Sequence, residues 1–299
     1  MAERESQIVL GLDPDPRELW PASEVPSRAL PPHQQAATAI QRHCLALIDA
    51  TAEACVAVKL QLARFEVLGA CGWSVLEAVA AHARLRGLLV IADGKRGDID
   101  VSARAYASAL LGGLETPFGR LAGLGADLVT VNPLMGTDAI EPFVAAARAA
   151  GAGSLVLVRT SNPGAADVED LELQRGGTVW ERLAELVAQL GRPGVGRSGL
   201  SDVGAVVGAT APGHLARARE LMGSAVFLLP GVGAQGGQVR DLAPAFAPGR
   251  AGGLVSASRS IAGAHQQGGG QPAAAARAEA ERLREAAWAL SEEARGLVR

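Results

Sequence analysis

The sequence predicts a single (β/α)8 barrel, and three observations carry that prediction. Eight short apolar runs recur along the 299 residues, most of them continuous rather than alternating, as strands covered on both faces require. Segments of helical periodicity lie between them. Polar and charged residues gather where run after run ends, and in a parallel barrel that edge is where chemistry is done.

The runs, in order, are Ile8 to Leu12, Cys55 to Leu60, Leu88 to Ala92, Leu128 to Val131, Leu155 to Val158, Val203 to Val207, Ala225 to Leu229 and Gly253 to Val255. Between the first two, Ile40, Cys44, Leu47 and Ile48 form an apolar helical stripe. Ser74 with Glu77 reads as a capping box, with Gly87 past the end of that helix. Asp138 with Glu141 precedes Phe143, Val144 and Ala147. Thr178 with Glu181 opens a helix whose Val179, Leu183, Leu186 and Leu190 share a face. Pro212 and Pro272 stand at first helical positions.

A doubly wound sheet is the alternative, but such sheets usually have fewer strands, and no linker divides the chain. The expectation is one domain over residues 1–299, with inserted loops near 162–177, 191–201 and 263–271. Gln266 to Gly270 reads as a low-complexity loop.

Composition narrows the function classes. Hydrophobic residues make up 48%, enough for a sizeable core, while a net charge of -3 and 3% aromatics give no nucleic-acid signature. No apolar stretch approaches the ~18 residues a membrane helix needs. The charged start, Met1-Ala2-Glu3-Arg4-Glu5, has no signal-peptide h-region behind it, so a cytoplasmic protein is expected. Cys44, Cys55 and Cys71 are odd in number and lack C-x-x-C spacing, which reads as reduced cysteines in or near the core. The five histidines lack metal-ligand spacing and G-x-S-x-G is missing, so zinc chemistry and serine hydrolysis find no support.

The chemistry sits at the ends of the runs. The third delivers Asp93-Gly94-Lys95-Arg96-Gly97-Asp98, and a stretch like this taken alone is an ordinary charged turn. Lys59 lies inside the buried pattern Val56-Ala57-Val58-Lys59-Leu60, where a lysine needs a partner. The residue types suggest an alternating array, Lys59 with Asp93 and Lys95 with Asp98, whose charges sum to zero. Asp13, Asn132 and Arg159-Thr160-Ser161 end the first, fourth and fifth runs. After the seventh comes Gly231-Val232-Gly233-Ala234-Gln235-Gly236-Gly237, and after the eighth Ser258-Arg259. The glycine pattern is misplaced for a dinucleotide fold, which carries it after its first strand. Loops after barrel strands seven and eight instead commonly hold a phosphate through backbone N–H groups, and Arg259 adds a guanidinium fork.

Assembled, these pieces resemble the orotidine 5'-phosphate decarboxylase family in its longer bacterial branch. The likeness runs through Gly11-Leu12-Asp13-Pro14, Val58-Lys59-Leu60-Gln61, Ala92 to Ile99, Val131-Asn132-Pro133, Arg159 to Gly164, Val207 to Thr210, Pro230 to Gly237 and Ser258-Arg259-Ser260-Ile261. The resemblance implies conversion of orotidine 5'-monophosphate to UMP and carbon dioxide in de novo pyrimidine biosynthesis, with no metal or organic cofactor. By the same resemblance, Lys95 protonates C6 of the pyrimidine, Asp93 sits near the departing carboxylate, and Lys59 holds Asp93. Asp13 binds the ribose and Ser161 the pyrimidine amide. Gln235, Arg259 and the amides of Gly233 and Gly236 hold the phosphate, and Asn132 joins the substrate-binding set. The resemblance also implies a homodimer in which Asp98 and Ser102 reach the neighbouring subunit's site. Two departures stand out: Gly94 replaces an expected Ala or Val, and Ser102 an expected Thr. The alternatives are a magnesium-dependent sugar-phosphate enzyme of the same superfamily and a non-catalytic phosphometabolite sensor.

Overall fold

The apolar runs become strands because each turns one set of alternate side chains toward helices and the other into a barrel. The computed structural model describes residues 1–23, 30–210 and 212–296. Its centre is a closed barrel of eight parallel strands: β1 (Ile8–Leu12), β2 (Ala57–Gln61), β3 (Leu89–Arg96), β4 (Leu128–Val131), β5 (Gly153–Arg159), β6 (Val203–Val207), β7 (Phe227–Leu229) and β8 (Gly253–Ala257). Neighbours follow chain order, and β8 closes on β1 with Ile8 opposite Val255. The predicted (β/α)8 architecture is the observed one.

The pleat decides which residues reach the site. Side chains alternate faces along a strand. Ile8, Leu10 and Leu12 of β1, Val58 and Leu60 of β2, and Val90 and Ala92 of β3 pack outward in the layer shared with the helices. Val9, Ala57, Ile91, Leu155, Val206, Leu228 and Leu254 form a separate cluster, the barrel interior, with Leu128 packed against it. Two residues further on, the same inward face carries Lys59, Asp93 and Thr130. The apolar plug thus turns polar one pleat before the strands end.

The helices largely start and stop where the sequence signals. Helix Val179–Gly191 has the Thr178–Glu181 capping box, with Thr178 N–H donating to Glu181 Oε2 at 2.9 Å. Helix Ala70–Leu85 ends in a Schellman turn: Gly87, at φ 70°, donates to the Arg84 carbonyl, and Leu88 N–H donates to that of Ala83. Its start differs from expectation. Ser74 lies inside the helix with its hydroxyl on the Ala70 carbonyl, and Gly69 is the N-cap, so Ser74 and Glu77 form no capping box. Helix Thr137–Ala150 likewise begins after Gly136, which places Asp138 in its first turn beside the positive end of the helix dipole. The Gln266 to Gly270 segment is not wholly loop, because Ala264–Gly268 forms a short helix. An antiparallel hairpin, Leu114–Thr116 with Gly119–Leu121, has no counterpart in the sequence reading.

Near the opposite ends of the strands, one buried cation is packed between a helix and the barrel. Arg219, on helix Pro212–Leu221, is 8% exposed and has no carboxylate partner among the described residues. Its guanidinium donates to the carbonyls of Ala225 (2.7 Å), Met222 (3.0 Å), Ala245 (2.7 Å) and Gly252 (3.0 Å), and lies 3.7 Å from the centre of the Phe227 ring. Burial lowers its pKa to about 9. Ala225 and Gly252 lead into β7 and β8, so the contact anchors the start of both strands. Arg219→Met removes donors from several buried carbonyls and is expected to cost about 2–4 kcal/mol in urea denaturation. Arg219→Lys, lacking the planar fork, should recover only part of that loss.

Candidate active site

The C-terminal strand ends surround a cavity of about 470 Å3. One wall carries Asp13, Lys59, Asp93, Lys95 and Thr130; the facing wall carries Ser161, Gly231, Gln235 and Arg259. The two walls differ in character. The first is a charge array centred on the buried Lys59 and Asp93, and the second is a more open, glycine-rich rim.

Asp93 is the hub of the array. Its side chain is 5% exposed. Lys59 Nζ donates to Oδ2 and Lys95 Nζ to Oδ1, each at 2.7 Å. Thr130 Oγ1 donates to Oδ1 at 2.9 Å. Asp13 Oδ1 lies 3.6 Å from Lys59 Nζ, which extends the chain of charges to β1. Burial alone pushes the Asp93 carboxyl up, but the Lys59 and Lys95 ammoniums outweigh it and hold the pKa at about 2. Burial likewise disfavours the charged form of Lys59, yet Asp13 and Asp93 more than offset it and raise that ammonium above its ordinary value. The signs fix the working range. Asp93 contributes stability above the ordinary carboxylate value of 3.8, and that contribution is lost as pH falls toward about 2. Lys59 contributes below 10.5 and loses it only as pH rises through its higher folded value. Across neutral pH both groups are charged.

Backbone strain accompanies the array. Lys95 has φ 46°, a left-handed conformation unusual for a side chain without local compensation. Gly94 is closely enclosed: a Cβ there would meet Leu62 Cδ1 at 2.7 Å and Arg96 Nε at 3.2 Å. Glycine at this position is thus fitted to its neighbours and does not loosen the strand. A Cβ on Gly97 would lie 2.8 Å from the Asn132 carbonyl oxygen, so β3 leaves the barrel by a close approach that requires glycine.

On the facing wall, Gly231, Gly233 and Gly236 have φ of 102°, 78° and 90°, which only glycine adopts freely. The N–H of Gly233 donates to the Gly237 carbonyl and that of Gly236 to the Gly233 carbonyl. These two glycines therefore shape the loop, and neither lines the cavity. Gly231, Val232, Ala234 and Gln235 do. Arg259 is exposed at the rim, and no carboxylate among the described residues pairs with it. Ser161 is held close to β6, where a Cβ on Gly208 would meet its Cα at 2.8 Å.

Three other predicted residues lie outside the cavity lining. Asn132 turns its Oδ1 back to accept from Leu134 N–H at 3.0 Å, an Asx turn that shapes the chain after β4. Asp98 Oδ1 accepts from Ile99 N–H at 2.8 Å, so the expected Lys95–Asp98 pair is not made within one chain; Lys95 pairs with Asp93 instead. Ser102 is exposed in the first turn of helix Asp100–Leu110. Thr130 carries no signal in the run-end residues, whereas Ser258, which ends the eighth run, lines the cavity with Ser256. Inward parity could have exposed Thr130, since it stands two residues after Leu128, as Asp93 does after Ile91.

The segment after β5 is tied back to the strand end at its middle, through Glu169 and Asp170. Arg159 makes a two-pronged ion pair with Asp170, Nε to Oδ1 at 2.8 Å and Nη2 to Oδ2 at 2.9 Å. Thr160 N–H and hydroxyl both reach the Glu169 carboxylate, at 2.8 and 2.9 Å.

Comparison with known proteins agrees with this geometry. The model of the orotidine 5'-phosphate decarboxylase / HUMPS family matches residues 6–278. A curated orotidine 5'-phosphate decarboxylase from Deinococcus radiodurans is 46% identical over 260 residues, covering 87% of this chain and 86% of the relative. Another, from Roseiflexus castenholzii, is 39% identical over 283 residues, 94% of this chain and 92% of its own. Among solved structures, the OMP decarboxylase of Leishmania donovani superposes with a TM-score of 0.68 at 30% identity, covering 96% of each chain. The family match runs from before β1 to beyond β8 and takes in both walls of the cavity, so the chain belongs to the orotidine 5'-phosphate decarboxylase / HUMPS family.

Proposed function

We propose that this chain is a carboxy-lyase that converts orotidine 5'-monophosphate to UMP and carbon dioxide, a step of de novo pyrimidine biosynthesis. The observation that carries the reading is the Lys59–Asp93–Lys95 array, built on a buried carboxylate, facing a cationic, glycine-rich rim across one cavity. The relatives described above are decarboxylases, which favours this over sugar-phosphate chemistry.

The mechanism follows from charge placement. Loss of carbon dioxide from C6 leaves an sp2 carbanion that the ring delocalises poorly. The Lys95 ammonium stabilises that charge as it develops and then supplies the proton to C6, a case of electrostatic preorganisation. Asp93, beside the substrate carboxylate, repels the ground state. At ~4 Å and an effective dielectric near ~20 this is on the order of 4 kcal/mol. Lys59 orients Asp93 and, with Asp13, meets the ribose. Ser161 faces the pyrimidine amide. Gln235, Arg259 and the free N–H groups of the strand-seven loop take the phosphate. That phosphate is remote from C6, so its binding energy can drive closure and positioning. The strand-seven loop is the segment we assign to closure, because the 162–177 segment is held by the Arg159–Asp170 pair.

The chain is further read as one domain over residues 1–299 that works in the cytoplasm as a homodimer, with Asp98 and Ser102 completing the neighbouring subunit's site. Asp98 and Ser102 lie outside their own cavity lining, and the exposed apolar Ile99 and Val101 stand between them in sequence, which supports this reading. No helix among the described residues is long and apolar enough to cross a membrane. Among them, too, no cluster of three His, Cys, Asp or Glu side chains is arranged to hold a metal ion. Activity is expected to survive EDTA; abolition by the chelator would point to the magnesium-dependent alternative.

Incubation with orotidine 5'-monophosphate, followed by pyrimidine absorbance, tests the activity directly. Lys95→Ala should lose turnover by at least about three orders of magnitude while keeping nucleotide affinity, and near-parental kcat would refute the proton-donor role. Mixing inactive Lys95→Ala and Asp98→Ala proteins should restore partial activity, since a hybrid dimer contains one site free of both changes. No recovery after verified subunit exchange would count against a shared site. Lys59→Met should cost about 3 kcal/mol of stability at pH 7, because it strips a partner from a buried carboxylate. The deficit should shrink as pH falls toward about 2, where the parent protonates Asp93 as well.

A further inference from the structure

We propose that Thr130 is a positioning residue for the reaction: its hydroxyl locks the Asp93 carboxylate and the Lys95 backbone into one fixed arrangement. The proposal rests on the reading of Lys95 as proton donor given above.

The need for such a residue comes from the strand register. Ala92 of β3 is opposite Val129 of β4, and Arg96 is opposite Val131. Between those pairs, Asp93, Gly94 and Lys95 face Thr130 alone. The ladder cannot supply backbone partners to all of them, and an unpaired buried N–H is costly. The Lys95 N–H finds its acceptor in a side chain, Thr130 Oγ1, at 2.9 Å. That hydroxyl donates its own proton to Asp93 Oδ1 at 2.9 Å, and the same oxygen accepts from Lys95 Nζ at 2.7 Å. The result is a closed circuit: Lys95 N–H, Thr130 hydroxyl, Asp93 carboxylate, Lys95 ammonium.

Three features make the circuit more than incidental packing. Lys95 has φ 46°, which persists only where the surroundings over-determine it. Thr130 is 1% exposed, so water does not compete for its bonds. A hydroxyl has one proton. Because Oγ1 accepts from Lys95 N–H, that proton is directed at Asp93, and β-branching restricts χ1 so that the hydroxyl holds this direction. A valine has the same shape and lacks the connection.

The test is steady-state decarboxylation of orotidine 5'-monophosphate by Thr130→Ser, Thr130→Ala and Thr130→Val, with UMP affinity measured by calorimetry. Thr130→Ala and Thr130→Val should lose roughly ten- to a hundredfold in kcat, the scale of a lost hydrogen bond to a charged group, while KM and UMP affinity stay within about threefold. Thr130→Ser should recover most of the lost turnover. Equal kcat in the Ser and Ala variants, whether both near the parent or both far below it, would overturn the proposal, because those two differ only in the hydroxyl. That pair decides the matter even if the valine variant does not fold. Lys95→Ala assayed alongside separates the two readings. Retained turnover there brings down the array itself; loss there with a parental Thr130→Ala brings down only the positioning role.

Discussion

A carboxylate 5% exposed inside a barrel is the constraint around which the rest of this site is arranged. Desolvating Asp93 costs several kcal/mol, and the protein offsets this with two ammoniums at 2.7 Å and a hydroxyl at 2.9 Å. Each partner comes from a different place. Lys59 arrives on β2 by parity with Ala57, Thr130 on β4 by parity with Leu128, and Lys95 from β3 itself by way of a bulge. Take Asp93 away, and two like charges would face each other in a poorly hydrated space. The array is therefore mutually dependent, and its ionised state at neutral pH is the state the fold stabilises.

The bulge explains how one strand can supply both the hub and a spoke. Residues 93 and 95 of a regular strand point to the same face with their side chains roughly parallel. At Lys95 the backbone instead turns left-handed, and the ammonium folds back to Asp93 Oδ1 with its side chain 43% exposed toward the cavity. Glycines frame the distortion on both sides. Gly94 packs under Leu62, and Gly97 lets the chain pass the Asn132 carbonyl. The strain is thus confined to a few residues where β3 stops being a ladder strand.

Much of this was legible in the sequence, for definite reasons. A strand covered on both faces must be apolar throughout, so Ile8 to Leu12 or Val203 to Val207 announces itself, and a lysine at position 59 is conspicuous by contrast. The Thr178–Glu181 box is a local bond and is read locally. What escaped depends on register and context. Threonine is an ordinary strand residue, and nothing before the structure reveals that residue 130 stands opposite three residues of β3. Asn132 ends a strand as a site residue should, yet its amide is used by its own turn. Gly233 and Gly236 read as phosphate donors, but their N–H groups close the loop on itself. The Leu114–Leu121 hairpin shows no alternation because both of its faces are largely exposed.

The two walls of the cavity impose opposite mechanical demands, and the sequence meets them with opposite materials. Electrostatic catalysis works only if the charges are already in place, since reorganising them during the reaction would consume the advantage. That wall is centred on the buried Lys59 and Asp93, bonded through side chains across three strands, and fixed by a strained but over-determined backbone. Binding a phosphate and admitting a substrate require the reverse. The far wall is carried by a loop shaped by glycines at positive φ, with an exposed Gln235 and an Arg259 that no carboxylate among the described residues restrains. Interaction with a remote phosphate can therefore order that wall without disturbing the array. The barrel lets both coexist, because the strand ends on one side are joined by the ladder and by Asp93, whereas the loop after β7 is held chiefly to itself.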